Sequence, residues 1–524
     1  MYLSVDVELY DTTLRDGAQA EGICFSTEDK IDILTRLDAF GIDFVEGGIP
    51  ASNPKDVEFF QKAKEIELKH AKLVAFGFTR KKDSRVEDDP MIRSLIEADT
   101  DWVCIVGKSW DLHVREVLSI DLSDYIKIVE ETLTYLRSKE KRIFFDAEHF
   151  FDGWKENRAF AEEVLKIAEE AGAEYIVLCD TNGGCLPSEI AKILGEVRKG
   201  IRVKLGVHMH NDSELAVANS IAAVEKGVNL VQGTVNGFGE RCGNANLCSL
   251  IPALAFKMKK RLSVKNLNEL TSLSSFVAEV ANIIPDTRLP YVGSSAFAHK
   301  GGVHINAVMK NPKTYEHIDP AVVGNRRRIL VSELTGVSGI IARSHELGVC
   351  DRDEAKMLLE KVKRMELEGY QFEAAEASLE LFVRRLRNEV KPHFRLGGFR
   401  VLVDVSEGST RSEAIVKVID PKGDVEHTAS DGNGPVNALD RALRKALTRF
   451  FPEIREMRLV DYKVRVIDTK SATAAKVRVL IKSTDGKKTW TTIGVSTNII
   501  EASLNALLDS IEYKLLERKE SIES

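Results

Sequence analysis

Long apolar runs are missing from this chain. No uninterrupted stretch approaches the ~18 residues that a membrane span needs, so no membrane role is expected. The opening Met1–Asp6 has neither a basic nor an apolar leader segment, and no secretory signal is expected from it. Charge of one sign is scarce as well: 74 Lys and Arg stand against 81 Asp and Glu, a formal net charge of −7 over 524 residues. Such a balance gives no global electrostatic reason to coat nucleic acid or anionic lipid. Cysteine is sparse and odd in number, with seven at positions 24, 104, 179, 185, 242, 248 and 350, and none in a Cys-x-x-Cys pair. A zinc ribbon, a thioredoxin-like motif and a disulfide scaffold are thereby excluded, and reduced thiols in a cytoplasmic protein are expected. Aromatics are only 7%, yet 44% hydrophobic and 30% charged residues are ordinary globular values. The length suggests three or four domains at about 150 residues each.

What is present first is rhythm. Short apolar, β-branched runs recur at Val5–Tyr10, Phe44–Ile49, Lys72–Phe78, Trp102–Gly107, Arg142–His149, Tyr175–Thr181, Val203–His210 and Leu230–Asn236. Amphipathic stretches separate them; in one, Tyr125, Val129, Leu133 and Leu136 share a helical face. Eight strand-then-helix units predict a closed (β/α)₈ TIM barrel over residues 1–265. The rhythm then stops, and residues 266–393 read as helical linker subdomains. From residue 394 to 524 strands return in a duplicated pattern. Glu413–Ile419, Asp424–Ala429 and a helix Val436–Leu447 are echoed by Lys476–Ile481, Lys488–Ile493 and a helix Asn498–Leu516. Two ββα units with one sheet and a helical layer are expected, an α+β domain suited to binding or dimerisation.

Polar residues concentrate where a barrel of this kind carries its chemistry, at the C-terminal strand ends. The first strand runs into Leu14-Arg15-Asp16-Gly17-Ala18-Gln19. The seventh ends in His208-Met209-His210, whose rings, two apart on a strand, point to one side. Two imidazoles converging with Asp16 form a site for one divalent cation, although a lone His-x-His also occurs as structural histidines. The eighth strand leads into Gly237-Phe238-Gly239-Glu240-Arg241-Cys242-Gly243-Asn244, where Asn244 offers a carbonyl oxygen. Its glycines do not follow the dinucleotide-binding spacing. Mixed carboxylate, imidazole and amide ligands suit Mn²⁺ or Mg²⁺, with Zn²⁺ or Co²⁺ as alternatives. Asp146 and Glu148 end the fifth strand on one face, where either could serve the site or a barrel-interior salt bridge. Glu46 on the second strand is a candidate substrate contact or a structural partner of Arg15.

Three of these segments, Leu14-Arg15-Asp16-Gly17-x-Gln19, His208-x-His210 and Gly239-Glu240-Arg241-x-Gly243-Asn244, together resemble the alpha-isopropylmalate, homocitrate and citramalate synthase family. The resemblance extends through Ala296–His304 to the duplicated C-terminal module, which is similar to that family's allosteric domain. Within the family, Glu46–Asp56 and Asp146–Gly153 look most like the longer citramalate synthases, with 2-isopropylmalate synthase, acting on 2-ketoisovalerate, as the alternative. A catalytically silent amino-acid sensor is the reading from a different class. The resemblance implies an acyltransferase that condenses acetyl-CoA with pyruvate at a divalent metal held by Asp16, His208, His210 and Asn244. It further implies Arg15, Glu148, His304 and Tyr315 as catalytic residues, with His299 a rival to His304. Arg15, Gln19, Glu46, Phe78 and Thr181 become substrate contacts, and Phe76 and Val106 further pocket walls. Arg326, Arg327 and Arg328 could meet CoA phosphates or form a solvated cluster. A homodimer in which the His304 region reaches the neighbouring barrel is implied, as is feedback by isoleucine, with leucine second, in a pathway toward isoleucine.

Overall fold

A computed structural model describes residues 5–332, 337–342, 351–406, 409–467 and 474–523. Cys350 lies outside them, and the other six cysteines are free thiols. Among the described residues no helix is long and apolar enough to cross a membrane. The chain divides into two units, one of residues 1–297 and 318–326, the other of 298–317 and 327–524.

In the first unit, eight parallel strands close in sequence order into a barrel. They are β1 (Glu8–Asp11), β2 (Phe44–Gly48), β3 (Lys72–Phe78), β4 (Trp102–Lys108), β5 (Arg142–Glu148), β6 (Tyr175–Asp180), β7 (Lys204–Met209) and β8 (Leu230–Gly233). The expected runs overlap these strands throughout; the first and last overshoot, since Val5–Val7 precede pairing and Thr234–Asn236 have already turned away. Helices start where the sequence supplies caps. Ser26 and Asp29 form a reciprocal capping box at helix α1 (Thr27–Phe40), and Asn53 with Pro54 opens helix α2 (Pro54–Ala63). Lys30 of α1 reaches under the sheet, 2.6 Å from Asp56 of α2 and 3.0 Å from the Gly47 carbonyl.

The barrel interior is layered. Tyr10, Phe44, Trp102, Phe144 and Tyr175 form an aromatic floor with ring centroids 4.6–6.0 Å apart. Two residues beyond Phe44 and Phe144 on β2 and β5 the interior turns polar with Glu46 and Asp146, and His208 of β7 and Gln232 of β8 are buried there too. The period of two that places rings below therefore places charges above.

The second unit begins with the short strand Ala298–His299, paired in parallel with Arg328–Ile329, and includes helices Gly302–Lys310, Arg352–Leu367 and Glu376–Leu386. Its C-terminal part is duplicated, but each repeat holds three strands, not two, and there are two sheets in place of the expected one. The leading strands, Arg395–Ser406 and Arg458–Val466, carry outward-facing apolar residues such as Val405 and Val460. With apolar side chains on both faces they lack the clean alternation that marks a half-buried strand. Both repeats have a register break at the matching place, Leu396/Gly398 and Leu459/Asp461, and each ends in a helix, Pro435–Leu447 or Ile499–Glu523. The alanines predicted to correspond, Ala438 and Ala442 with Ala502 and Ala506, are all fully buried against their sheets.

Candidate active site

A cavity of about 210 Å³ opens at the C-terminal mouth of the barrel. Arg15, Asp16, Gln19, Phe78, Glu148, Thr181, His208 and His210 all line it. At its base, the Asp16 carboxylate lies 3.2 Å from His208 Nε2, which is itself 3.3 Å from His210 Nε2. All three groups are buried and their ligand atoms lie within 4.8 Å of one another, a spacing a single cation can bridge. Burial opposes charge on Asp16, but the Arg15 guanidinium and the two imidazoles hold its carboxyl far below the usual range. Burial and the neighbouring His208 push His210 down to about 3, so its imidazole is neutral and its nitrogen lone pair available.

Asn244 reaches the same place through a glycine-dependent loop. A Cβ on Gly239 would stand 2.2 Å from Asn244 Nδ2, and one on Gly243 would stand 2.0 Å from the Gly237 carbonyl. The loop folds back so that Asn244 pairs with His210, and its Nδ2 donates to the Phe238 carbonyl at 3.0 Å. Its Oδ1 is buried with no hydrogen-bond partner. Burial works against a charged His208, but the adjacent Asp16 carboxylate raises its pKa above the usual imidazole value. A buried, unpartnered amide oxygen on the residue paired with His210, together with the Asp16 carboxylate and the two imidazoles, makes a mixed donor set that fits a divalent cation.

Arg15 is fixed from three sides. Its Nε donates to Glu46 at 2.5 Å, its Nη1 lies 3.3 Å from Asp16, and its guanidinium sits 4.0 Å above the Phe76 ring. Glu46 also accepts from the Tyr10 hydroxyl at 2.7 Å. Fully buried beneath the cavity and satisfied by these two donors, Glu46 serves as the anchor of Arg15; it is not among the cavity-lining side chains, which corrects its expected place among the substrate contacts. Phe76 and Val106 join Phe78 as apolar walls. Thr181 Oγ1 accepts from the His149 backbone N–H at 2.9 Å, which leaves its hydroxyl proton free to donate into the cavity.

Lys108 at the end of β4 forms an ion pair with Glu148 at the end of β5. The sequence reading passed over Lys108, although its place at a strand end was the available signal. It also passed over Gln232, the single polar side chain in Leu230-Val231-Gln232-Gly233, whose amide contacts His208 Nδ1 at 2.8 Å and Asp146 at 3.2 Å. Burial pushes the Asp146 carboxyl up to about 6.

His304 and Tyr315 belong to the second unit, where their ring centroids lie 4.4 Å apart with the planes tilted by 32°, and both are exposed. His299, the rival candidate, is engaged 3.1 Å from the buried Glu316, which also takes Arg327 through two bonds of 2.5–2.6 Å. Arg328 pairs with Glu376 at 2.8 Å. Two arginines of the triplet are thus neutralised within the chain.

The profile of the HMGL-like family matches residues 6–277, that of the homocitrate synthase post-HMGL domain matches 291–369, and that of the LeuA allosteric (dimerisation) domain matches 373–515. Over 98% of both chains the sequence is 53% identical to an (R)-citramalate synthase of Aquifex aeolicus. It is 51% identical to an (R)-citramalate synthase of Geobacter sulfurreducens, again over 98% of each. A 2-isopropylmalate synthase of Methanocaldococcus jannaschii stands further off, 31% identical over 98% of this chain and 95% of its own.

Proposed function

The chain belongs to the HMGL-like family and, within it, to the (R)-citramalate synthases, and from that membership we propose that its barrel condenses acetyl-CoA with pyruvate and hydrolyses the thioester to citramalate. The observation that carries this reading is the convergence of Asp16, His208 and His210 with the anchored Arg15 at one small cavity. A divalent cation held by these three and Asn244, Mn²⁺ or Mg²⁺ before Zn²⁺ or Co²⁺, would chelate the keto acid and polarise its carbonyl.

The remaining work falls to side chains. Arg15 places a permanent planar cation where alkoxide charge develops, and the Phe76 ring beneath it keeps that cation aimed. Thr181 donates its free hydroxyl proton to the keto-acid carboxylate. Glu148 removes a methyl proton of the acetyl thioester, with Lys108 holding its carboxylate at the rim. His304, backed by Tyr315, supplies the partner acid from the second unit of a neighbouring subunit, in a homodimer. Gln19 closes the rim on the substrate side. The apolar walls Phe76, Phe78 and Val106 favour the smaller keto acid over one with an isopropyl group. Residues 394–524 act as the regulatory domain, with isoleucine the expected inhibitor ahead of leucine.

The test is a panel of keto acids with acetyl-CoA and Mn²⁺, read as release of the free CoA thiol. Pyruvate should outpace 2-ketoisovalerate by more than about tenfold, the discrimination of one or more methylenes in an apolar pocket. Faster turnover of 2-ketoisovalerate would make the protein an isopropylmalate synthase. No thiol release at full metal loading would leave the sensor reading.

A further inference from the structure

Three polar side chains inside the barrel make a chain that starts at the ligand His208 and runs through two residues, Gln232 and Asp146, that the reaction outlined above does not use. His208 on β7 and Gln232 on β8 are register partners in neighbouring strands. The His208 Nδ1 and Gln232 Oε1 atoms are 2.8 Å apart. The other end of the Gln232 amide, Nε2, donates across the interior to Asp146 Oδ1 on β5 at 3.2 Å. Gln232 is completely buried, Asp146 and His208 nearly so, and the aromatic floor lies directly below.

We propose that Gln232, fixed by Asp146, is a positioning residue for the metal ligand His208: it holds the ring in the tautomer and orientation that aim Nε2 at Asp16 and His210. An amide has two unlike ends, one that only accepts and one that only donates. A carboxylate accepts, so the Gln232 nitrogen faces Asp146 and its carbonyl oxygen must face His208. That oxygen can only accept, so His208 carries its proton on Nδ1 and leaves the Nε2 lone pair for a cation. Without Asp146 the amide could turn over and present a donor to Nδ1, which would favour the proton on Nε2, where the ion should bind. A metal-bound histidine whose second nitrogen is held by a hydrogen-bonded partner is a recurring arrangement, and loss of that partner costs 10–100-fold in metal affinity. Here the partner is an amide whose own direction is set by a carboxylate from the far side of the barrel.

The inference rests on the reading of Asp16, His208, His210 and Asn244 as a metal site, and the experiment separates the two. The affinity of the full-length protein for Mn²⁺ is read from loss of the free-ion EPR signal, with the thermal midpoint of the metal-free protein measured alongside. Gln232→Leu should weaken Mn²⁺ binding about 10–100-fold. Gln232→Asn, one methylene too short to span both partners, should weaken it in the same direction and serves if the leucine variant does not fold. Asp146→Leu should weaken binding as well, whereas Asp146→Asn, which still offers a carbonyl oxygen to Gln232, should stay within about twofold of wild type. Because the residues act in series, Asp146→Leu combined with Gln232→Leu should bind no worse than Gln232→Leu alone. If wild type binds Mn²⁺ and folded Gln232 variants bind it equally well, or if the double variant shows additive losses, the relay is wrong. If wild type itself binds none and His208→Ala changes nothing, the metal-site reading fails instead.

Discussion

Replacing Lys30 by Met should destabilise the barrel unit by about 3–5 kcal/mol, the cost of leaving a buried charge without its partner. Lys30 is 4% exposed and Asp56 6%, so neither is rescued by water. Desolvation works to lower the Lys30 ammonium from its usual range, and the attraction of Asp56 offsets this only in part. Once the ammonium is gone, Asp56 keeps the Ile49 N–H at 3.0 Å and the Asn53-capped turn, but nothing neutralises it. The Gly47 carbonyl also loses its donor. Replacing both residues, Lys30→Met with Asp56→Leu, removes the stranded charge and should recover most of the loss. Recovery stays short of wild type by about 1–2 kcal/mol, because the Ile49 N–H is left without an acceptor. Urea unfolding followed by tryptophan fluorescence reads the effect, since three of the four tryptophans, Trp102, Trp110 and Trp154, lie in this unit. A single variant within about 1 kcal/mol of wild type, or a double variant less stable than the single, would refute the argument.

Other expectations follow from the same geometry. His304→Ala should lower kcat by about 10²–10⁴-fold while leaving pyruvate affinity, measured calorimetrically, unchanged; a matching loss of affinity would move His304 into the keto-acid site. Mixing subunits carrying Glu148→Gln with subunits carrying His304→Ala should restore about a quarter of wild-type activity if sites are shared across a two-fold dimer, and none if each chain completes its own. Burial disfavours a charged Glu316, but Arg327 and His299 hold its carboxyl below the usual value, so it contributes stability above about pH 4.3, its unfolded value. That contribution should fade as pH falls through the lower folded value. Glu316→Gln should cost about 3 kcal/mol at neutral pH and flatten the acid limb of a stability profile; an unchanged acid limb would rule this out. Isoleucine titrated into the full-length protein should inhibit at lower concentration than leucine, and the reverse order would reassign the effector.

The barrel was legible because parallel strands covered by helices read as separated apolar runs, and the candidate ligand cluster because a strand's period of two puts His208 and His210 on one side. The family resemblance pointed to the same residues. Gln232 was not legible: a lone amide in a four-residue strand carries no motif, and its meaning arises only when β5 and β8 face each other across a closed barrel. Glu46 was ambiguous for the same reason, since partner and substrate contact look alike until Tyr10 is seen taking the second oxygen. The leading strand of each C-terminal repeat was missed because apolar residues on both faces hide the alternation.

The aromatic floor has a consequence for traffic. Five rings in mutual contact, some edge to face and some stacked, fill the barrel below the cavity, so its way in is the C-terminal mouth. Whatever occupies its base must arrive before the molecule that covers it and depart after. A small keto acid held at the ligand cluster would therefore load beneath the bulky thioester, and free CoA would have to clear the mouth before the new acid could follow.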